Sequence, residues 1–269
     1  MHFRIKMAII DFDDISTWEN DLINFLGPLF SKHIPALQKH HEYVEDSLDT
    51  LLASTDRQKI IEATLDWISR NEIASYHGSR LTLDELNSVK RHGLLPLVAQ
   101  ARDERIRRAL SAHPKWQSVS RSLPELIERG ANGVHIGNRT NQVHLTLSRN
   151  ALENGFNHYI THGSEFDQSI ACQLLGQEGV DLLSLDGEPY IFAFAVPGQL
   201  AISAAHRYFS PEEMISRGSV PNIVNEFLKI LSYRQFDPSY TPDRLKVHCG
   251  LVFKINVPTT WLISVIEVS

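Results

Sequence analysis

The run Pro189-Tyr190-Ile191-Phe192-Ala193-Phe194-Ala195-Val196 constrains this chain more than any other stretch. It carries no charge, is rich in aromatic residues and is far too short to cross a membrane, so it predicts a strand near the centre of a sheet. Further strand signals lie at Gly133-Val134-His135-Ile136, Val143-His144-Leu145-Thr146-Leu147, Gly250 to Pro258, and Trp261 to Ile266. Each is alternating or rich in β-branched residues. Helix signals are interleaved with them. Thr82-Leu83-Asp84-Glu85 starts a helix with Leu83, Leu86 and Val89 on one face and Gly93 as its stop. Ser122-Leu123-Pro124-Glu125 starts another that ends at Gly130, and Phe166 to Leu175 is amphipathic and stops at Gly176. Ser210-Pro211-Glu212-Glu213 combines an N-cap with Pro at the first helical position. Strands stand on both sides of helices without regular β–α alternation, which predicts an α+β fold and not a doubly wound sheet.

Residues 1–70 read differently, as a helical N-terminal subdomain preceding a domain over 71–269. Ser16-Thr17-Trp18-Glu19 has capping-box spacing ahead of Leu22, Ile23, Phe25 and Leu26, with Gly27-Pro28 as the stop. Val44, Leu48, Leu51 and Leu52 recur at helical intervals, and Thr55-Asp56-Arg57-Gln58 starts a helix carrying Ile60, Ile61, Leu65 and Ile68. Asp11, Asp13 and Asp14 form an acidic cluster, solvated or capping.

Charge narrows the function classes. A net charge of −6 over 269 residues is unlike that of a broadly basic nucleic-acid binder, so any polynucleotide contact needs a local patch. The concentrated basic stretch lies between residues 98 and 121, with Arg102, Arg105, Arg107, Arg108, Lys115 and Arg121; a solvated helix face is the first reading. Cys172 and Cys249 are far apart and lack Cys/His ligand spacing, so the expectation is two buried thiols in a reducing cytosol and no metal site. No apolar run reaches membrane-spanning length, and MHFRIKMAIIDFDD lacks a signal-peptide core and cleavage site; a cytoplasmic protein with no membrane partner is expected.

One segment carries chemistry. In Ile73-Ala74-Ser75-Tyr76-His77-Gly78-Ser79-Arg80 a strand places an imidazole beside a Gly, where backbone can approach a ligand closely. The stretch SYHGSRLTLDELNSVKRHGLLPL resembles the opening motif of NAD-dependent ADP-ribosyltransferases of the diphtheria-toxin and poly(ADP-ribose) polymerase type: a strand with Tyr-His-Gly-Ser or Thr, a helix, then a Gly-Leu exit. The resemblance spans residues 73 to 268 and implies two split antiparallel sheets with NAD, as substrate, in the cleft between them. It implies that Tyr76, His77, Gly78, Ser79, Arg80, Ser148 and Tyr159 bind NAD. His77 would hydrogen-bond a ribose or the nicotinamide half, Gly78 would pair with the carboxamide, Tyr76 and Tyr159 would sandwich rings, and Arg80 would neutralise pyrophosphate. His77, Tyr159 and Glu165 are the catalytic candidates. From the residues alone, Tyr159 reads as a half-buried core aromatic, Glu165 as a first-turn carboxylate on a helix capped by Ser164, and Arg80 as a surface ion pair with Asp84 or Glu85.

The chain departs from the family at one place. Members carry a catalytic Glu on a late strand, but Lys246-Val247-His248-Cys249-Gly250-Leu251-Val252 holds none, and Glu267 lies close to the last residue. The expected function is transfer of ADP-ribose to a macromolecular acceptor, protein or nucleic acid, by a toxin or defence effector with a neutralising partner protein. An RNA 2′-phosphotransferase-like enzyme and a non-catalytic nucleotide- or partner-binding protein of the same fold stay open.

Overall fold

The computed structural model describes residues 8–18, 22–28, 48, 52–53, 55–132, 140–236 and 249–268. The expected strand at 133–136, Val44 and Leu51 of the N-terminal periodicity, and His248 lie outside the described residues. The fold is mixed α+β. Six described strands, β1 (Ile9–Ile10), β2 (Glu72–Leu81), β3 (Val143–Thr146), β4 (Glu188–Pro197), β5 (Gly250–Phe253) and β6 (Leu262–Glu267), join in one sheet ordered β5-β3-β2-β4-β6, with β1 beside β2. Two split sheets were expected from the resemblance; the described strands form one. β4 runs antiparallel to β6, with Tyr190 opposite Glu267 and an irregularity at Ala193/Phe194, whereas β1 pairs parallel with the start of β2. The apolar run at 189–196 lies within β4, and Ile191 to Val196 are buried. Among the described residues, no helix is long and apolar enough to cross a membrane.

Two compact units divide the chain. One holds the described residues of 1–75, 146–151 and 195–251. Its core is aromatic: Phe12, Trp18 and Trp67 each pack on Phe227, with ring centroids 4.9–5.4 Å apart. The N-terminal segment thus shares its core with the helix over Asn222–Phe236 and contributes a strand besides its helices. Local details differ from the sequence expectation. Ser16 does not open a helix; Asp14 caps a short 3-10 turn over Ile15–Thr17 by accepting from the Ser16 N–H. Helix α1 (Arg57–Arg70) does start within the expected Thr55–Gln58 stretch, capped by Asp56. The helical segment over residues 22–28 runs through Gly27 and Pro28. Asp13 is neither solvated nor a cap of its own turn: it accepts from the Asn150 N–H at 3.0 Å, and burial pushes its carboxyl up.

The other unit holds the described residues of 76–145, 152–194 and 252–269. Helix α2 (Leu83–His92) opens with a complete Thr82/Glu85 capping box and stops at Gly93. Gly93 has φ +76°, and a Cβ there would fall 2.0 Å from the Val257 carbonyl oxygen, so a side chain is excluded on both counts. That close approach permits reciprocal backbone hydrogen bonds between Leu94 and Val257. Helices α3 (Arg102–Leu110), α4 (Leu123–Asn132), α5 (Arg149–Asn154), α6 (His158–His162), α7 (Glu165–Leu175) and α8 (Gln177–Leu183) follow in sequence. Ile106, Leu110, Leu123, Ile127, Phe166, Ile170 and Leu183 form one buried cluster from α3, α4, α7 and α8.

Candidate active site

Within the second unit a cavity of about 450 Å³ is walled by β2, α2, the loop that follows it, β3, α6 and the start of α7. Its volume falls in the range of ligand sites, about 300–1,000 Å³. His77, Gly78, Ser79, Tyr159 and Glu165 all line it. Tyr76, Arg80 and Ser148 do not. Tyr76 alternates to the buried side of β2. The Arg80 carbonyl accepts from Arg105 at 2.7 Å, and its Nε is buried without a hydrogen-bond partner. Ser148 belongs to the other unit, where its Oγ accepts from the Ala151 N–H at the start of α5 and bonds the Asp13 carboxyl.

His77 is half-buried, with Nδ1 2.8 Å from the His144 carbonyl oxygen. Only an N–H can bond a carbonyl, so Nδ1 carries the proton and Nε2 presents a lone pair with no partner among the described residues. Burial lowers the imidazole pKa and outweighs the opposing His144 hydrogen bond. His77 is therefore a neutral acceptor. Gly78 lets the wall close: a Cβ there would sit 2.9 Å from Ile160 Cγ2 and 3.3 Å from Leu152 Cδ2.

Glu165 is the first residue of α7, which Ser164 caps through the Asp167 N–H. One of its oxygens, Oε1, accepts the Tyr159 hydroxyl at 2.6 Å and lies 3.3 Å from His158 Nε2. The His158 and Tyr159 rings lie against each other, tilted by 37°, with centroids 4.1 Å apart. A carboxylate thus holds an aromatic ring at the cavity wall. Sequence reasoning placed Glu165 and Tyr159 in one region but missed His158, for which the sequence offers no signal beyond adjacency.

Beneath the cavity lies an ion network that the sequence hid. Arg102 grips Asp167 through Nε (2.9 Å) and Nη2. Arg105, buried, donates to Glu85 at 2.8 Å and places Nε 3.4 Å from Asp167. Arg108 makes two 2.8 Å bonds to Asp186. Burial alone would raise Asp167; Arg102 and then Arg105 outweigh it and hold the carboxyl below its ordinary range, as Arg105 does for Glu85. The basic stretch is therefore not a solvated face at Arg102 and Arg105. Their counter-charges stand 20 to 65 residues away in sequence, so local charge counting could not find them.

Of the charged residues lining the cavity among the described residues, Glu85 and Glu165 are carboxylates, and the one cation, Arg102, is committed to Asp167. Glu267 does not line it and stands exposed on β6 opposite Tyr190. Compared with protein-family models, curated proteins and solved structures, the chain matches none.

Proposed function

We propose that this protein is an NAD-dependent ADP-ribosyltransferase that modifies a macromolecular acceptor. The carrying observation is convergence: His77, Gly78 and Ser79 from β2, Tyr159 from α6 and Glu165 from α7 meet on one cavity. The resemblance of the stretch around His77 to the family's opening motif supplies the substrate identity. Charge decides which half of NAD goes inside. The nicotinamide ring is cationic and suits a wall of Tyr159 and Glu165, whereas pyrophosphate finds no uncommitted cation among the lining residues. The nicotinamide-ribose half therefore occupies the cavity, with the phosphates toward its mouth.

In this reading His77 Nε2 accepts a hydrogen bond from a ribose hydroxyl and Tyr159 packs against the nicotinamide. Glu165 places negative charge beside the anomeric carbon, where positive charge develops as the C1′–N1 bond breaks. Nicotinamide leaves with the bonding electron pair; an acceptor lone pair forms the new bond to C1′, and the acceptor's proton passes to solvent. Glu165 takes the place of the late-strand Glu that the family carries. The RNA 2′-phosphotransferase-like alternative needs free arginines at a phosphorylated end, and Arg102 is already spoken for by Asp167.

The test is nicotinamide release from NAD by purified protein, with and without cell extract. Glu165→Gln keeps size and hydrogen bonding but deletes charge, and is expected to cut release about a hundredfold while costing less than about 1 kcal/mol of stability. Equal release by variant and parent removes Glu165 from the chemistry; no release by the parent leaves a binding protein.

A further inference from the structure

We infer that His158 is a positioning residue for Glu165, holding the carboxylate in place without cancelling its charge; the inference rests on the NAD reading above. His158 and Tyr159 open α6, and both reach one oxygen of Glu165. The Tyr159 hydroxyl donates to Oε1 at 2.6 Å, and His158 Nε2 lies 3.3 Å from the same atom. An ionised carboxylate only accepts, so this bond requires the proton on Nε2. Two donors from different rings fix a carboxylate oxygen more narrowly than one. The His158 donor is itself seated: its ring lies 4.1 Å from that of Tyr159 and meets Phe156 edge-on at 6.4 Å. Gln168 of α7 donates to the His158 carbonyl at 3.3 Å and to the Gly163 carbonyl at 2.7 Å. The start of α6 and its C-cap are thereby tied to the helix that Glu165 opens.

Tyr159 and Glu165 line the cavity and His158 does not, so His158 acts through Glu165 and not on NAD. Position, more than stability, is what the contact supplies. The His158 and Glu165 side chains are 33% and 34% exposed, and a pair so open to water contributes little to folding. Rate, by contrast, depends steeply on where a carboxylate stands: a displacement of about 1 Å can cost about a hundredfold. The residue type matters as well. Lys or Arg would hold Oε1 but bring a permanent charge that offsets the carboxylate's, whereas an imidazole can donate from Nε2 while neutral. Glu165 held in this way keeps its negative charge for the C1′ that loses nicotinamide.

The experiment measures nicotinamide release by purified full-length protein, separating kcat from KM for NAD, with urea unfolding run alongside. His158→Phe keeps a ring against Tyr159 and loses the donor; His158→Gln restores an N–H near the place of Nε2. The expected result is a kcat about tenfold lower in His158→Phe with KM within about twofold of the parent, the pattern of an interaction that counts only in the transition state. In His158→Gln, kcat should stay within about threefold of the parent. Because His158 acts through Glu165, His158→Phe should lower kcat no further in a Glu165→Gln background. Parental kcat in His158→Phe overturns the inference, as does an equal loss in both variants or a full further loss in the Glu165→Gln background. A raised KM at unchanged kcat would make His158 an NAD contact, and a His158→Phe protein that does not fold would make the pair structural; either overturns it too. These outcomes leave the NAD reading standing, whereas absence of nicotinamide release by the parent protein sinks that reading and the inference with it.

Discussion

Replacing Asp167 with Asn keeps the shape of the side chain and removes its charge. In the folded protein Asp167 is fully buried, takes two N–H groups from Arg102 and lies 3.4 Å from the buried Arg105 Nε. The variant leaves Arg102 without its bidentate partner and Arg105 with Glu85 as its remaining hydrogen-bonded carboxylate. Breaking a buried pair by removing one partner costs about 3–5 kcal/mol, because the surviving charge stays desolvated and uncompensated. Against a typical total of about 5–15 kcal/mol, that is a large fraction of the stability. The assay is urea unfolding followed by tryptophan fluorescence at pH 7 and again in acid. Because the folded-state pKa of Asp167 is lowered, its contribution is complete above the unfolded value near 3.8 and disappears as pH falls through the folded value. Parent and Asp167→Asn are therefore expected to converge at low pH. Adding Arg102→Gln should cost less than the sum of the two single changes, by about 1–3 kcal/mol. A deficit below about 1 kcal/mol at pH 7, or one that persists undiminished in acid, would refute the claim that this pair braces the cavity floor.

Three further outcomes follow from the site. Gly78→Ala drives a methyl group to within 2.9 Å of Ile160 on α6, the helix that carries Tyr159; it is expected to cost about 1–3 kcal/mol in thermal or urea unfolding and to weaken NAD binding in calorimetry, and normal binding would show that α6 can yield without moving the ring. His77→Ala should abolish nicotinamide release at a stability cost of about 1 kcal/mol, one hydrogen bond's worth. Because burial lowers the His77 pKa, parent-protein binding should persist as pH drops past the ordinary value of 6.5 and fall only in more acidic buffer, once Nε2 is protonated; loss of binding already above pH 6.5 would contradict a neutral acceptor.

Most of the local structure was legible in the chain. Side chains that satisfy the backbone within three or four residues leave local signatures, so the Thr82/Glu85 and Ser210/Glu213 capping boxes, the stops at Gly93 and Gly176, and the strand through Ile191 to Val196 all stand where the sequence puts them. Where another capping residue stands close by, the sequence does not choose: Asp14 caps a 3-10 turn where Ser16 promised a helix. Tertiary structure alone decided the rest. Tyr76 and His77 are adjacent, and it is the pleat of β2 that buries one ring and turns the other to the cavity. Arg102 and Arg105 sit in a stretch that looks solvated, yet Asp167 and Glu85 reach them from other helices and make them interior. Ser148 looked like a ligand contact and instead bonds Asp13, 135 positions earlier in the chain. Long-range charge pairing and strand facing depend on which elements meet in three dimensions. That information is absent from any short window of sequence, because the partner's position along the chain does not constrain its position in space.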